Sequence, residues 1–497
     1  MSLLGVDVGT TGCKAAAFTG NGQLLVLAYR EYRSFQAQSG RAELDSQAVW
    51  DGVQAVIRQV AQETASDPVS AMAVSSLGEA MVPVTRDREL LAASILCTDP
   101  RGAETIDRLH GAFDDHAFYA INPNILGPQY SLPKLLWLRE HQPDVFARAD
   151  YFLLWADLVA FMLGCDATAC NSLANRTLLF DLGRNDWSEP LLAWSGIERA
   201  QLGRVVAGGT VLGTISRDAA DALGLPTNVT IVAGGHDQCC NALGSGVIAP
   251  GQAVCGIGSF ECLTPVYGPV REPLDMFELG LNIEHHVLPD RYVSFIFNQA
   301  GTLVKWFRET FAAADQPADG QDVYAMLNAE MPDEPTRLLV LPYFEAAISP
   351  RVVSDASGVI VGLKTHTTRG EILKAIMESV TYYFVDSIEA LKGVGADTTQ
   401  FIATGGGARS DRWLQIKADI FGVPFIRPSV TEAGLAGAAI LAGLATDMFN
   451  SPEETVERFV RHDRIFEPDT ARNQIYRERL GQYRELLPAT HGLLRKL

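Results

Sequence analysis

Asp7, the run Gly9-Thr10-Thr11-Gly12 and Lys14 fall within eight positions of the opening stretch LLGVDVGTTGCKAAAF, between two apolar runs. A tight turn between antiparallel strands gathers backbone N–H groups into one concavity, and Thr10 and Thr11 add hydroxyl donors to it. Such a cradle suits phosphate oxygens, with Lys14 as counter-charge. Asp7 would repel phosphate unless a cation lay between them, which implies Mg²⁺ held through water. The competing reading is a hairpin turn with a buried, hydrogen-bonded aspartate. The stretch alone leaves both open.

A second cluster, GGHDQ at 234–238, places Asp237 just past a strand-like run, where sites of α/β proteins gather. Gly234 and Gly235 would let the backbone approach a ligand. Asp237 suits a general base for a hydroxyl attacking a phosphoryl group. An ordinary carboxyl pKa of about 4 would serve, because the alcohol proton moves only as the new bond forms. The alternative is an aspartate that caps the following helix. A third cluster, TGGGARSDRWLQIKADIFG at 404–422, also runs from strand end into helix. Gly405, Gly406 and Gly407 would admit a flat base or ribose against the backbone, and a tight strand–helix crossing would need the same residues. Two familiar nucleotide motifs fail: the chain has no Gly-Lys dipeptide for a P-loop, and GIGSFE at 256–261 lacks the third glycine of a dinucleotide fingerprint.

The elements that must position these residues alternate between strand and helix, which predicts α/β layers. SQAVWDGVQAVIRQVAQET has apolar residues at helical spacing, with Asp45 or Ser46 as cap, and SAMAVSSL reads as a buried strand. AVCGIGSFECLTPV at 253–266 repeats the strand, glycine turn, strand order of the opening stretch. That echo suggests two related halves, each starting with a hairpin whose turn faces the other half. The expected domains are 1–247 and 248–497. Helices are predicted at 301–313, 371–391, 411–421 and 433–445, with Gly393 and Gly422 as stop residues.

At 497 residues the chain is long enough for two large domains. Forty basic against 59 acidic residues give a formal charge of −19, which argues against nucleic acid or an anionic membrane as partner. GLAGAAILAGLA is too short for a bilayer span, which takes about 20 residues. No charged-then-apolar leader is present, and the eight scattered cysteines fit reduced thiols, so a cytoplasmic location is expected. Cys239-Cys240 reads as packing thiols rather than a redox pair. His285-His286 has no cysteine or carboxylate at metal spacing, so zinc is not expected.

With these clusters in hand, the chain resembles the FGGY family of carbohydrate kinases, within the actin-like ATPase superfamily. The likeness runs over about residues 3–450. GVIVGLKTHTTRGEILKAIME at 358–378 follows the C-terminal signature position by position, and SLPKLLWLREH at 131–141 resembles the N-terminal one, with Gln129 as a departure. LFDLGRNDWS, LPYFEAAISP and TEAGLAGAAILAG resemble further family blocks. The resemblance implies two ribonuclease-H-like domains closing over a cleft, the first holding sugar and the second ATP. It implies Asp237 as catalytic base and Asp7 as the Mg²⁺ residue. Gly9, Thr10, Thr11 and Lys14 would form the first phosphate loop, and Gly258 and Ser259 the second. Gly301 and Lys305 would contact the nucleotide, with Gly406, Gly407, Ala408 and Asp411 on the adenine side. Glu79, Asp99 and Gln238 would bind substrate hydroxyls, and a homodimer is expected.

The substrate side departs from the family's known patterns. Gly78-Glu79 stands where glycerol kinases resemble one another in Arg-Glu and xylulose kinases in Met-His. Cys97 replaces a usual tryptophan, and His236 is an unusual imidazole beside the base. The implied reaction is ATP-dependent phosphorylation of a small carbohydrate, with a ketopentose such as xylulose named first and other sugars, aldonates and polyols open. The rivals are an ATP-switched chaperone or filament protein of the same superfamily, and a kinase whose activity has decayed.

Overall fold

In the computed structural model, residues 1–36, 40–270, 272–315, 322–344, 350, 353, 355–430 and 432–496 are described, with 34–36 as backbone only. Residues 345–349 of LPYFEAAISP and Thr431 of TEAGLAGAAILAG lie outside the described residues. The chain forms two compact units, each discontinuous in sequence. The first comprises Met1–Ile248, Asn282–Val293 and Glu432–Arg461; the second comprises Ala249–Leu281, Ser294–Thr431 and His462–Leu497.

The first unit is built on a six-stranded sheet in the order Val211–Thr214, Thr230–His236, Val69–Ser76, Ser2–Val8, Gly12–Phe18, Leu24–Glu31. Ser2–Val8 pairs antiparallel with Gly12–Phe18 and parallel with Val69–Ser76, which pairs parallel with Thr230–His236. The opening strand obeys the two-residue period of a sheet covered on both faces. Leu4, Val6 and Val8 join the core that contains Val49, Val53, Val56 and Ile57 of helix Ser46–Glu63. Gly5 faces the other way, against the backbone of Leu435 in helix Ala433–Ala445. Asp7 shares that face by parity. Of the two candidate caps, Asp45 takes the role, accepting from Gln47 N and Ala48 N at 2.9 and 3.1 Å.

The second unit repeats the plan. Gln252–Ile257 and Phe260–Tyr267 form an antiparallel hairpin, and Gln252–Ile257 pairs parallel with Gln400–Thr404. Phe425–Pro428 continues the sheet in parallel and His462–Phe466 antiparallel, while Ile296–Gln299 flanks the hairpin. The echo of the two opening stretches is thus an echo of topology. Helices occur at Gly301–Phe311, Arg369–Gly393, Asp411–Phe421 and Ala433–Ala445. The second begins two residues before its predicted start because Thr368 and Glu371 form a reciprocal capping box. Gly422 ends its helix at φ +71°, as expected, whereas Gly393 remains helical and the left-handed turn falls to Gly395. A buried ion pair, Lys417 with both oxygens of Glu261 at 2.6 and 2.8 Å, ties helix to sheet. No helix among the described residues is long and apolar enough to cross a membrane.

The small residues of Ala433–Ala445 serve contact between main chains. A Cβ on Gly437 would lie 1.9 Å from Cys240 O, in helix Asp237–Gly244. Gly437→Ala is therefore expected to cost at least ~3 kcal/mol of stability or to abolish soluble expression, because backbone cannot yield as a side-chain end can. Gly481→Ala, at a helical site with open space, is expected to be neutral or to stabilise by ~0.5–1 kcal/mol. Chemical denaturation of the two variants checks the contrast.

Candidate active site

Three parallel strands of the first unit end level with one another: Val8 is in register with Ser76, and Ser76 with His236. The residues that follow, Gly9, Leu77 and Asp237, therefore emerge at one sheet edge, the carboxyl end where α/β sites form. Thr230–His236 reaches this register only through a bulge, since Val232 pairs with Ala73 and Gly235 with Ser75. Gly234 makes the bulge possible, because a Cβ there would lie 1.8 Å from Val74 O. The close approach expected of Gly234 and Gly235 is real, but their neighbours are Val74, Ser172 and Val287 of the protein itself rather than a ligand.

A cavity of about 570 Å³ at this edge is lined by Asp7, Gly9–Gly12, Lys14, Tyr29, Leu77 and Asp237. It joins the first glycine–threonine turn to the distant Asp237. The turn is held from below: Gly9 N donates to Gly12 O at 3.0 Å, and Tyr32 N donates to Thr11 O at 3.2 Å. Thr10 and Thr11 are exposed at its tip. Asp7 accepts from Ser75 Oγ at 2.7 Å. Burial raises its carboxyl above the usual range, against the opposing effects of the Ser75 hydrogen bond and the Lys14 charge. Lys14 is the register partner of Asp7, yet its Nζ lies 2.8 Å from Glu432 Oε2. Glu432 was missed in the sequence; its one signal was its place in the TEAGLAG block, immediately before the helix whose Gly434 approaches Asp7.

Asp237 opens helix Asp237–Gly244 and is one-third exposed. Its carboxyl is pushed up to about 7, first by burial, then by the charges of Asp7 and Glu79; the Gln238 N–H and Arg176 oppose the shift. The ordinary value expected from sequence is corrected accordingly, and the direction suits a base working near neutrality. His236 Nε2 lies 3.4 Å from Asp237 Oδ1. Burial, with Arg176 nearby, holds the imidazole well below its usual pKa, so it is neutral and adds no positive charge beside Asp237. Gln238 is half-buried in the first turn of the helix.

Glu79 is buried, and Arg176 Nε donates to its Oε1 at 2.6 Å. Asp99 is placed differently. Its Oδ1 accepts from Arg101 N and Nε, both at 2.9 Å, and its Oδ2 from Ala42 N and Arg101 Nη2, both at 2.6 Å. A carboxylate has about four lone-pair sites, so Asp99 has none left for a sugar hydroxyl and acts as scaffold. Burial alone would raise its pKa; these hydrogen bonds outweigh it and lower it. Cys239 and Cys240 are buried thiols pushed well above their usual pKa by burial, as inert packing residues are. His285 packs edge-on against Phe180.

In the second unit the hairpin turn meets the start of helix Gly301–Phe311: Gly301 N donates to Gly258 O at 3.1 Å, and Thr302 N to Ser259 O at 3.2 Å. Gly258 and Ser259 are exposed. Gly405, at φ +84°, and Gly407 both pack on Ile257 at the hairpin, while Gly406 has open space. The structure thus brings together Gly258, Ser259, Gly301, Gly406 and Gly407. Ala408 is buried, and its carbonyl accepts from Arg427 Nη1 at 3.2 Å. Asp411 is held by Arg427 at 2.7 Å and also by Arg464. Lys305 is exposed, 3.8 Å from Glu309 one helical turn on.

Residues 2–244 match the FGGY family of carbohydrate kinases, N-terminal domain, and residues 275–446 its C-terminal domain. The chain belongs to this family. It is a carbohydrate kinase, a phosphotransferase with the two-domain actin-like ATPase fold. It is 28% identical to a xylulose kinase of Bacillus subtilis over 99% of this chain and 97% of that one. It is 26% identical to an autoinducer-2 kinase of Escherichia coli K12 over 99% and 95%. The crystal structure of a xylulose kinase from Rhodospirillum rubrum shares the fold with a TM-score of 0.90 at 24% identity, covering 99% and 100% of the two chains.

The raised Asp237 carboxyl has a consequence for stability. An acid whose folded pKa exceeds its unfolded value favours the native state while protonated. That contribution is full below about pH 4 and is lost as pH rises through about 7. Asp237→Asn cannot ionise, so it is expected to melt roughly 2 °C above the wild type at pH 8, with the difference vanishing near pH 4. Thermal melts of the unliganded protein across pH check the sign.

Proposed function

We propose that this kinase transfers the γ-phosphoryl group of ATP to a hydroxyl of a small sugar, with a ketopentose such as xylulose as first candidate. The observation that carries the reading is the cavity in the first unit whose walls include Asp237 together with Asp7, Thr10, Thr11 and Lys14. Asp237 would accept the hydroxyl proton as the new phosphate ester forms, while the turn's amides and threonine hydroxyls donate to phosphoryl oxygens. Gly258, Ser259, Gly301, Lys305, Gly406, Gly407, Ala408 and Asp411 of the second unit are proposed nucleotide contacts. The first unit would serve mainly the sugar and the second mainly the nucleotide; the expected split into 1–247 and 248–497 is modified by segments 282–293 and 432–461, which return to the first unit.

A metal fits the donor set. Asp7 lines the cavity beside the glycine–threonine turn, and Mg²⁺ takes one or two carboxylates together with water and phosphate. Asp7 would hold Mg²⁺ through water, and the ion when bound neutralises phosphate charge that Lys14, already paired with Glu432, meets only in part. The match to a xylulose kinase over nearly its whole length supports a ketopentose. All eight cysteines are free thiols, which supports a reducing cytoplasm as the working compartment. A homodimer is proposed from family likeness alone.

Coupled detection of ADP release with a panel of ketopentoses, ketohexoses, aldonates and pentitols tests the proposal. Sugar-stimulated release is expected, and ATP-driven polymerisation without it would instead favour a filament protein. Asp237→Ala is expected to lower turnover at least ~10³-fold while nucleotide affinity stays within ~3-fold. Near-normal turnover in that variant would refute the assigned base.

A further inference from the structure

Glu79 adopts φ +60°, the left-handed region that a residue with a Cβ avoids. Its neighbours hold it there. Ser131 Oγ donates to Glu79 O at 2.6 Å, and Arg176 donates to Glu79 Oε1 from Nε at 2.6 Å and also from Nη2. Arg176 is gripped on its far side as well: Nη1 donates to Glu284 Oε1 at 2.6 Å, and the guanidinium lies 5.1 Å from the centre of the Tyr130 ring. Asn282 donates to the same Glu284 oxygen. The Glu284 side chain is 1% exposed, and its Oε2 has no hydrogen-bond partner among the described residues. The assembly is continuous with the catalytic end of the cavity. Gly78 passes so close to the His236 ring that a Cβ there would lie 3.2 Å from Nε2, the atom 3.4 Å from Asp237 Oδ1.

We infer that Arg176 is the positioning residue of the substrate side. It fixes Glu79 as an acceptor for sugar hydroxyls and makes the site selective for uncharged sugars and polyols over sugar acids of the same length. The inference rests on the sugar-kinase reading and narrows it. A sugar acid would look to Arg176 for its counter-charge, because a guanidinium is the side chain that matches a carboxylate fork. Arg176 is already shared by two carboxylates, Glu79 and Glu284, so this wall carries one positive charge against two negative ones. A further buried carboxylate would meet like charge at a guanidinium already committed to two carboxylates. A hydroxyl meets the opposite situation. Glu79 Oε1 is occupied by the guanidinium, which leaves Oε2 as a fixed, charged acceptor, and hydrogen bonds to charged acceptors are the stronger kind.

The test begins with the wild-type full-length kinase, comparing ADP release with D-xylulose and ribitol against D-xylonate and D-gluconate. The neutral compounds are expected to show kcat/KM at least ~100-fold above the acids; comparable values overturn the inference. Arg176→Lys keeps the charge but loses the two-sided grip. It is expected to raise KM for the neutral sugar ~10- to 100-fold, with KM for ATP unchanged and kcat within ~3-fold. An unchanged sugar KM overturns the positioning role. Glu284→Gln, which removes one negative charge without changing shape, is expected to narrow the neutral-over-acid ratio ~10-fold, and an unaltered ratio counts against the charge argument. If the wild type binds ATP but releases ADP with no member of the full panel of ketopentoses, ketohexoses, aldonates and pentitols, the sugar-kinase reading itself fails and the inference with it.

Discussion

The level ending of three parallel strands is the constraint on which the candidate site depends. Hydrogen-bond register joins Val8 to Ser76 and Ser76 to His236, so chain segments far apart in sequence leave the sheet together. The bulge in Thr230–His236 is the critical detail. Side chains alternate along a strand, so removing one residue would turn Asp237 to the other face as well as pull it back from the edge. Gly234 makes the extra residue sterically possible, and the packing of helix Asp237–Gly244 on Ala433–Ala445 fixes where the helix starts. The position of the Asp237 carboxylate is thus set by backbone geometry on both sides of it.

The electrostatics of the first unit follow from that convergence. Burial and nearby negative charge raise Asp7 and Asp237 together, as expected where acids are gathered faster than cations can offset them. Lys14 and Arg176 are already engaged, with Glu432 and with the Glu79–Glu284 pair. A site of this kind is poised rather than satisfied: its acids are raised together while its two cations are already shared with carboxylates.

Much of the fold was legible because it rests on local rules. The apolar spacing of Ser46–Glu63, its aspartate cap, and the glycine that ends Asp411–Phe421 are decided by neighbours in sequence. The two hairpins were legible for the same reason. What escaped was decided by partners distant in the chain. Nothing near Arg176 announces that it will pair with both Glu79 and Glu284, and nothing around Asp99 shows that Ala42 and Arg101 will fill its lone pairs. Glu432 and the 282–293 segment join the first unit across a long stretch of the second, a return that no local pattern encodes.

The glycine clusters show where such reading stops and why. TGGGAR offered two explanations for each glycine, ligand approach or tight packing, and composition cannot separate them. The structure divides the triplet. Gly405 needs its positive φ and would strike Ile257 O, and Gly407 would strike the Ile257 side chain, so both are accounted for by the sheet beneath them. Gly406 meets nothing within 4 Å. Of the three, Gly406 is thus the one that neither conformation nor a protein neighbour demands, and the one at which the proposed nucleotide contact competes with no packing explanation.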